Sequence, residues 1–386
     1  MAIGNLGFSS PSAADVLVRI YFNLPREGSV AVKKAVWLTN VDSQVMNSRE
    51  NLAAGLSRLA ELGFNTIYPA VWQRGYTLYP SDVAKELTGA AVLPTSPFEG
   101  RDLLAEIIEL AQPLNIRVIP WFEYGLMVPP RSTIALQHSE LLLLDTRGNS
   151  QRIQTANNTL DPNVWLNPAH DRVRRFMIDL IADVVRRYPV DGIQLDDHFS
   201  FPVELGYDLF TQQLFKQQHQ ANWHEWRGLQ LTELLNQIVS SVRFIRPDCT
   251  ISISPNPLGF SKSRYLVDWQ QWCNLGLVDE LVLQVYRDDL GAFERELSKA
   301  EVRWRSLPCG KSIETKIPTL IGILTGLRTK PVATDLIRSQ VNLTIANQFA
   351  GFSCFFYETL FYEQLAPTIV TRDRNQLIDI FTGSSQ

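Results

Sequence analysis

The stretch VDGIQLDDHF (Val190–Phe199) begins as a short apolar strand and ends in two carboxylates, a histidine and an aromatic ring. A strand buried in a parallel sheet normally reads as an almost continuous apolar run. Charges at its carboxyl end therefore lie where α/β proteins carry their chemistry. An aspartate after a strand often only caps the next helix. Here Phe201-Pro202 follows instead of a helix start, so we interpret Asp196, Asp197 and His198 as site residues.

Strand-like and helix-like segments alternate from residue 34 onward. Ser48, for example, precedes an amphipathic run to Leu62, as expected of a capped helix. Eight strand–helix units in succession predict an α/β protein with a parallel (β/α)8 barrel, the TIM-barrel fold. The rival open, doubly wound sheet more often brings a glycine-rich phosphate loop, and the chain contains neither GxGxxG nor GxxxxGK. The predicted strands are residues 34–40, 64–72, 116–125, 190–196, 250–257, 280–289, 316–324 and 351–360.

The chain is predicted to have three parts. Residues 1–33 form an N-terminal extension, residues 34–362 the catalytic barrel, and residues 363–386 a C-terminal helix and tail. A long polar connection, residues 126–170, is inserted after the third strand. It is too long for a simple barrel loop, and such connections are usually functional.

The composition limits the class of protein. With 386 residues, 45% of them hydrophobic, and a net charge of -4, the chain can build a large core but offers no basic surface for nucleic acid. The cysteines are far apart and indicate neither a disulfide framework nor a zinc site. No apolar run reaches the length of a membrane span. The first residues lack the features of a signal peptide, so we expect a cytoplasmic protein as written, or an exported one if a leader was removed. The sequence carries no signal for the oligomeric state.

The carboxyl ends of all eight strands of such a barrel meet at one mouth. Carboxylates, aromatic rings and amides together indicate a carbohydrate site there, whereas a phosphate site would show glycines near the last two strands. The candidate catalytic residues are Asp196, Asp197, Glu123, Asp288 and Glu358. The candidate substrate-binding residues are Trp37, Asn40, Trp72, Arg74, Trp121, Tyr124, His198, Asn256, Gln284, Tyr286 and Tyr357.

Five of these aromatic residues lie on or just past the strand ends, and we expect at least two of them to line the substrate cleft. Trp37 and Trp121 can equally well fill the barrel interior. The five are Trp37, Trp72, Trp121, Tyr124 and Tyr286.

Several segments resemble one protein family: AVWLTNVDSQV, FNTIYPAVWQRGYTLYPS, IRVIPWFEYGLMVPP, WLNPAHDRVRRF, VDGIQLDDHF and LVLQVYRDD. The family is the glycosyl-hydrolase-like family ten, a group of bacterial barrel proteins that includes peptidoglycan glycan hydrolases. The resemblance spans about Lys34 to Leu360. It implies a (β/α)8 glycoside hydrolase acting on a bacterial amino-sugar glycan, such as peptidoglycan stripped of its peptides. We expect an oligosaccharide or polysaccharide substrate and no cofactor or metal.

The resemblance also implies roles for particular residues. The family's acidic pair falls on Asp196 and Asp197, and its QxY motif falls on Gln284 and Tyr286. The acids at the ends of the third and eighth strands match no general feature of the family. Their catalytic role rests on their position alone.

Two mechanisms are compatible with these carboxylates. In a double displacement, one carboxylate attacks the anomeric carbon and another, about 5 Å away, acts as acid and then as base. The strand VDGIQLD resembles the VDGxRxD strand of amylase-like barrels, which selects Asp196 as the nucleophile. Its partner is then Glu123, Asp288 or Glu358.

In the alternative mechanism, the acetamide of the substrate is the nucleophile. Adjacent aspartates at a strand end resemble the pair with which O-GlcNAc hydrolases orient the acetamide and protonate the leaving oxygen. Two close carboxylates also push their pKa values apart, which supplies one acid and one base. For an N-acetylated substrate we favour this pair, Asp196 with Asp197, and both mechanisms stay open.

Two other classes of function fit parts of the sequence. A non-catalytic carbohydrate-binding barrel would use the same mouth without turnover. A metal-dependent polysaccharide deacetylase would use Asp196, Asp197 and His198 as ligands. Such a deacetylase also needs an HxxxH pair, and His219 and His224 have one residue too many between them.

Overall fold

The computed structural model describes residues 32–154, 158–303, 317–361 and 372–382. Its large unit is Lys33–Gln386, and the description that follows concerns that unit. The predicted N-terminal extension, residues 1–33, lies almost entirely outside the described residues. Within the predicted C-terminal part, a helix is described at Arg374–Thr382.

Eight parallel strands form a closed barrel. Each strand pairs in parallel with the next one along the chain, and the last pairs with the first. This arrangement confirms the predicted (β/α)8 barrel. The strands are β1 Lys33–Leu38, β2 Thr66–Pro69, β3 Arg117–Val118 with Trp121–Phe122, β4 Gly192–Asp196, β5 Thr250–Ser254, β6 Glu280–Gln284, β7 Thr319–Leu324 and β8 Gly351–Phe355.

Strand β3 is broken into two short segments, and each segment pairs with a different neighbouring strand. The first segment pairs with β2 and the second with β4. Pro120 lies between them and has no N–H to donate to a neighbouring strand. Its carbonyl still accepts the backbone N–H of Gln194 at 2.8 Å, while Ile119 donates to Ile67 at 3.1 Å. The hydrogen-bonded ladder therefore continues across the break.

Helices alternate with the strands, and their capping residues follow the sequence. Ser48 accepts the N–H of Asn51 and caps the first helix, as predicted. Asn222 caps the long helix after β4 by accepting the N–H groups of His224 and Glu225. Among the described residues, no helix combines the length and the apolar character needed to cross a membrane. The helices are α1 Arg49–Glu61, α2 Asp82–Thr88, α3 Leu103–Ala111, α4 Thr133–Gln137, α5 Asp171–Arg187, α6 Leu209–Gln217, α7 Trp223–Ile245, α8 Leu258–Tyr265, α9 Trp269–Asn274, α10 Leu290–Ser298, α11 Ala300–Arg303, α12 Thr334–Ala346, α13 Tyr357–Phe361 and α14 Arg374–Thr382.

Six of the eight observed strands end before the predicted ones, while β4 and β7 end where predicted. The sixth ends at Gln284 rather than at residue 289, and α13 begins inside the predicted eighth strand. At the eighth strand the prediction is wrong because the residues of α13 continue the apolar run and are buried without being part of the sheet. Tyr357 and Phe361, for example, lie in the core as part of α13.

The long connection after β3 is folded onto the barrel by a buried ion-pair cluster. Strand Met127–Val128 pairs with Val164–Trp165 and returns the chain to the barrel. Arg152, whose side chain is 3% exposed, contacts Asp161 at 2.9 Å and Glu204 at 2.6 Å. Removing one partner of such a buried pair typically costs about 3–5 kcal/mol. The cluster therefore fixes this connection beside the loop that follows β4.

Side chains fill the barrel interior, and a polar chain runs through it. Trp37 Nε1 donates to Gln194 Oε1 at 2.7 Å, and Gln194 Nε2 donates to Ser252 Oγ at 3.0 Å. Ser252 and Tyr68 in turn donate to Glu280 Oε1 at 2.9 Å and 2.8 Å. Because these buried polar atoms are paired, they satisfy one another without water. The barrel is a packed support for the groups at its mouth.

Candidate functional site

The carboxylate of Asp196, the last residue of β4, is held by three donors. Ser254 Oγ on β5 and Gln284 Nε2 on β6 lie 2.9 Å and 3.1 Å from Oδ1. His198 Nδ1 lies 3.0 Å from Oδ2. All three neighbours can donate, so both oxygens of the Asp196 carboxylate have a hydrogen-bond partner. Only 7% of the residue is exposed.

Asp197 lies beside it in a different environment. Successive residues of a strand face opposite ways, but β4 ends at Asp196 and the chain then turns, with Phe199 N donating to the carbonyl of Asp196 at 2.9 Å. Asn256 Nδ2 donates to Asp197 Oδ2. Burial raises the pKa of Asp197 to about 7; the positive His198 opposes this shift and the Asp196 charge adds to it. Near neutral pH, Asp197 can therefore give up or take a proton.

His198 bridges these groups through one nitrogen. Its Nδ1 lies 3.0 Å from Asp196 Oδ2, 3.6 Å from Asp197 Oδ1 and 3.0 Å from the carbonyl oxygen of Glu123. Burial alone would lower the pKa of His198, but the charges of the two aspartates raise it to about 10. The ring is therefore a cation at neutral pH. We call Asp196, Asp197 and His198 the strand-4 cluster.

Glu123, at the end of β3, is a second acid at the mouth. Its Oε2 accepts Thr39 Oγ1 at 3.1 Å. Burial, followed by the Asp196 charge, raises the pKa of Glu123 to about 8, while Thr39, His198 and Arg74 oppose the shift. Glu123 is thus a neutral acid at pH 7, close enough to the strand-4 cluster to respond to its charge.

The two remaining predicted acids are engaged elsewhere. Glu358 Oε1 accepts Ser43 Oγ at 3.1 Å and the backbone N–H groups of Gln44 and Val45 at 2.6 Å and 3.1 Å. It therefore fixes the loop after β1. Asp288 is exposed and pairs with Lys330 at 3.4 Å. The structure does not bring either carboxylate into contact with the strand-4 cluster.

Two of the predicted aromatic residues lie at the cluster. Burial and then the charges of Asp196 and Asp197 raise the pKa of Tyr286 far above its ordinary value, so its hydroxyl lies near both carboxylates. The Tyr124 ring lies 6.3 Å from the His198 ring. Both side chains are half-buried and can contact a sugar.

Four other predicted substrate contacts are buried in the core instead. Trp37 and Trp121 are 1% and 2% exposed, and their ring centres lie 6.2 Å apart inside the barrel. Trp72 donates from Nε1 to the Gly125 carbonyl at 3.1 Å. Tyr357 packs its hydroxyl against Gly55 of α1. Large rings close to strand ends pack into the core of the barrel. A position near a strand end therefore does not by itself predict that a ring is exposed to substrate.

The other predicted contacts surround the cluster. Gln284 and Asn256 donate to its two aspartates. Asn40 has a buried Oδ1 with no hydrogen-bond partner among the described residues. Arg74 occupies the turn that follows strand Trp72–Gln73 and adjoins Tyr124.

The sequence reasoning missed three contributors to the site. Ser254 was detectable, because Ser252 and Ser254 alternate with isoleucines in TISIS and must face the barrel interior together. Thr39 directly precedes a predicted contact but carries no signal of its own. Trp165, whose ring lies 6.2 Å from His198, belongs to the connection after β3, far from any strand end. Only the folded connection brings it to the cluster.

The fold is similar to the barrels of solved glycoside hydrolases. The PgaB (BpsB) glycoside hydrolase domain from Bordetella bronchiseptica is 13% identical with a TM-score of 0.65, over 92% of this chain and 100% of that one. Alpha-L-fucosidase isoenzyme 2 from Paenibacillus thiaminolyticus is 14% identical with a TM-score of 0.61, over 90% of this chain and 48% of that one. These likenesses concern the fold.

Residues 33–343 match the family described as glycosyl hydrolase-like 10, and the chain belongs to this family, as its motifs predict. Glycosyl hydrolase DigH of Escherichia coli K12 is 24% identical over 281 residues, which are 65% of this chain and 61% of the relative. Glycosyl hydrolase YngK of Bacillus subtilis 168 is 23% identical over 289 residues, which are 66% of this chain and 54% of the relative. The chain thus spans less than two thirds of the length of these relatives.

Proposed function

We propose that this protein is a glycoside hydrolase that cleaves a bacterial N-acetylated amino-sugar glycan, such as peptidoglycan freed of its stem peptides, with Asp196 and Asp197 as the catalytic pair. The observation that carries the proposal is the unlike environment of two neighbouring carboxylates. Three donors hold the Asp196 carboxylate, whereas Asp197 is buried with a pKa raised to about 7. Membership of the glycosyl hydrolase-like 10 family supports the reaction class.

The pair divides the work of an acetamide-assisted reaction. Asp196 accepts the N–H of the substrate acetamide, which makes the acetamide oxygen a better nucleophile for the anomeric carbon. Protonated Asp197 gives its proton to the glycosidic oxygen as that bond breaks, and the leaving sugar departs as an alcohol. Ionised Asp197 then takes a proton from water, which opens the cyclised intermediate and restores the acetamide. Acid–base steps of this kind are typically worth about 10²–10⁴ in rate.

Glu123 supports a rival mechanism for the same reaction. With a pKa of about 8, it is a protonated acid at the mouth and responds to the charge of Asp196. In a double displacement, Asp196 would attack the anomeric carbon and Glu123 would protonate the leaving group. We favour the pair because the acidic pair of the family falls on Asp196 and Asp197, whereas Glu123 matches no general feature of the family.

The strand-4 cluster also has the composition of a metal site, since one ligand-type atom from each residue lies within 4.8 Å of the others. The Nδ1 of His198 lies 3.0 Å from the Glu123 carbonyl, which can only accept, so this nitrogen carries a proton and leaves only Nε2 for a metal. A polysaccharide deacetylase also needs an HxxxH pair, and the sequence contains none. A metal-dependent deacetylase is therefore the weaker proposal.

The test is to incubate the purified protein with peptidoglycan glycan strands, with and without stem peptides, and to identify the products by mass spectrometry. We expect shorter N-acetylated oligosaccharides from the peptide-free strands, unaffected by a metal chelator, and inhibition by a thiazoline mimic of the cyclised intermediate. Asp288→Asn is the matched control for an acid outside the pair. Binding of the glycan without any cleavage would favour a carbohydrate-binding barrel, and release of acetate would favour a deacetylase.

A further inference from the structure

Arg74 occupies a backbone position that is unfavourable for its side chain. Strands Trp72–Gln73 and Tyr76–Thr77 pair as a hairpin, and the two residues between them have positive φ angles, 52° at Arg74 and 80° at Gly75. A two-residue turn of this type prefers Asn-Gly, because asparagine tolerates the left-handed conformation. Residues with such strained backbone conformations are often found at active sites and ligand-binding sites.

The guanidinium of Arg74 is also not neutralised by the protein. The residue is exposed, and no carboxylate forms an ion pair with it within 4.0 Å in the part of the chain that the structure describes. Two other cations of the same rim differ in this respect. Arg328 pairs with Asp42 at 3.1 Å, and Lys330 pairs with Asp288 at 3.4 Å.

This free charge is directed to the mouth of the barrel. Tyr124 N donates to the carbonyl of Trp72 at 3.2 Å, so the hairpin that carries Arg74 lies beside Tyr124. Burial raises the pKa of Tyr124, and the neighbouring Arg74 opposes that shift. The charge of Arg74 also reaches Glu123. Tyr124 lies in turn beside the His198 ring, so Arg74 is one residue removed from the strand-4 cluster.

We propose that Arg74 and Tyr124 form a carboxylate-binding subsite that recognises the free lactyl carboxylate of a muramic-acid-type sugar next to the cleaved bond. The inference rests on the proposed function and names the feature of the glycan that is selected. A guanidinium presents two parallel N–H donors that match a carboxylate, and it keeps its charge at any physiological pH. A stem peptide converts the same carboxylate into a neutral amide, which offers no charge to Arg74. The subsite therefore makes the enzyme selective for glycan from which the peptides have been removed.

The test compares two matched oligosaccharides from peptidoglycan, one with free lactyl carboxylates and one with these groups converted to methylamides. Binding is measured by calorimetry in an Asp197→Asn background, and kcat/KM is measured with otherwise wild-type protein. We expect an about tenfold preference for the free carboxylate, which corresponds to one charge-assisted contact. Arg74→Asn should abolish the preference, through KM rather than kcat, and should not lower the melting temperature because asparagine suits the turn. Arg328→Gln, which removes a paired rim cation, should keep the preference.

An unchanged preference in Arg74→Asn, or an equal loss on both oligosaccharides, would overturn the subsite. Tighter binding of hyaluronan oligosaccharides, whose carboxylates are on the sugar ring, would overturn the assignment to a lactyl group. The proposed function fails separately, if the wild-type protein cleaves neither oligosaccharide. The binding preference and its dependence on Arg74 still decide the subsite in that case.

Discussion

Acids at the ends of β3 and β4 and acids beyond β6 and β8 occupy contrasting environments. Asp197 and Glu123 have pKa values raised to about 7 and about 8, and both lie around the buried Asp196. Glu358, by contrast, accepts three hydrogen bonds from the loop after β1, and Asp288 pairs with a lysine in solvent. A position at the mouth is common to all of them. The acids at β3 and β4 differ from the others because they lie together, where burial and the Asp196 charge raise the pKa values of Asp197 and Glu123.

The largest effect should come from the pair itself. We expect Asp197→Asn to lower kcat by at least about 10²-fold with an almost unchanged melting temperature, because it removes the proton donor and keeps the shape. Asp196→Asn should cause a similar loss of activity. It should also lower the free energy of unfolding by about 1–3 kcal/mol, because its amide group would face the donors that now bind the carboxylate. Near-wild-type turnover in either variant would remove that residue from the mechanism.

Glu358 should behave in the opposite way. Glu358→Ala leaves the buried N–H groups of Gln44 and Val45 without an acceptor, so we expect unfolding to become easier by about 2–3 kcal/mol. The kcat of the folded protein should stay within about twofold of wild type, since the residue acts on a loop and not on the substrate. Chemical denaturation and active-site-normalised kinetics measure the two quantities. A loss of kcat without a loss of stability would make Glu358 a chemical group after all.

Replacing Glu123 should change the pH dependence of stability rather than the turnover. Its pKa is about 8 when folded and near 4.5 when unfolded, so the wild-type protein loses stability as the pH rises from about 4.5 to 8. Glu123→Gln cannot ionise and should lack this loss, so its stability relative to wild type should increase across that range. Melting temperatures of both proteins at pH 5 and pH 8 provide the measurement. A difference that is constant with pH would contradict the raised pKa.

Asp288→Asn should have the smallest effect. The carboxylate is exposed and its only described ion pair, with Lys330, is also exposed. Pairs of this kind contribute about 0–1 kcal/mol. We expect both kcat and the melting temperature to match wild type. A clear loss of activity would place Asp288 among the groups that contact substrate.

The sequence predicts the barrel well because its signals are local and repeated. Each strand is an apolar run that must be buried on both faces, and residues such as Ser48 and Asn222 mark the helix starts. The strand-4 cluster is predictable for the same reason, since charges that follow such a run can only emerge at the mouth. Sequence position is less informative about the partner of each charged group.

That partner is set by contacts between distant segments. Glu358 contacts the loop after β1, with Ser43 separated from it by 315 positions in the sequence. His198 contacts the Glu123 carbonyl, which is 75 positions away in the sequence. Neither contact has a periodic or compositional signal. The sequence leaves the roles of the aromatic residues open for a related reason: Trp37 and Tyr286 both lie near strand ends, yet only packing decides which of them fills the barrel.

The central claim is that Asp197 is the proton donor and Asp196 orients the acetamide. The most direct measurement compares kcat/KM for aryl glycosides of an N-acetylated oligosaccharide whose leaving groups range from acidic phenols to weakly acidic ones. We predict that Asp197→Asn approaches wild-type rates with the most acidic phenol, which needs no proton, while Asp196→Asn stays impaired with every leaving group and Glu123→Gln follows wild type. Rescue of Glu123→Gln by the acidic phenol, together with no rescue of Asp197→Asn, would contradict the account and assign the proton to Glu123.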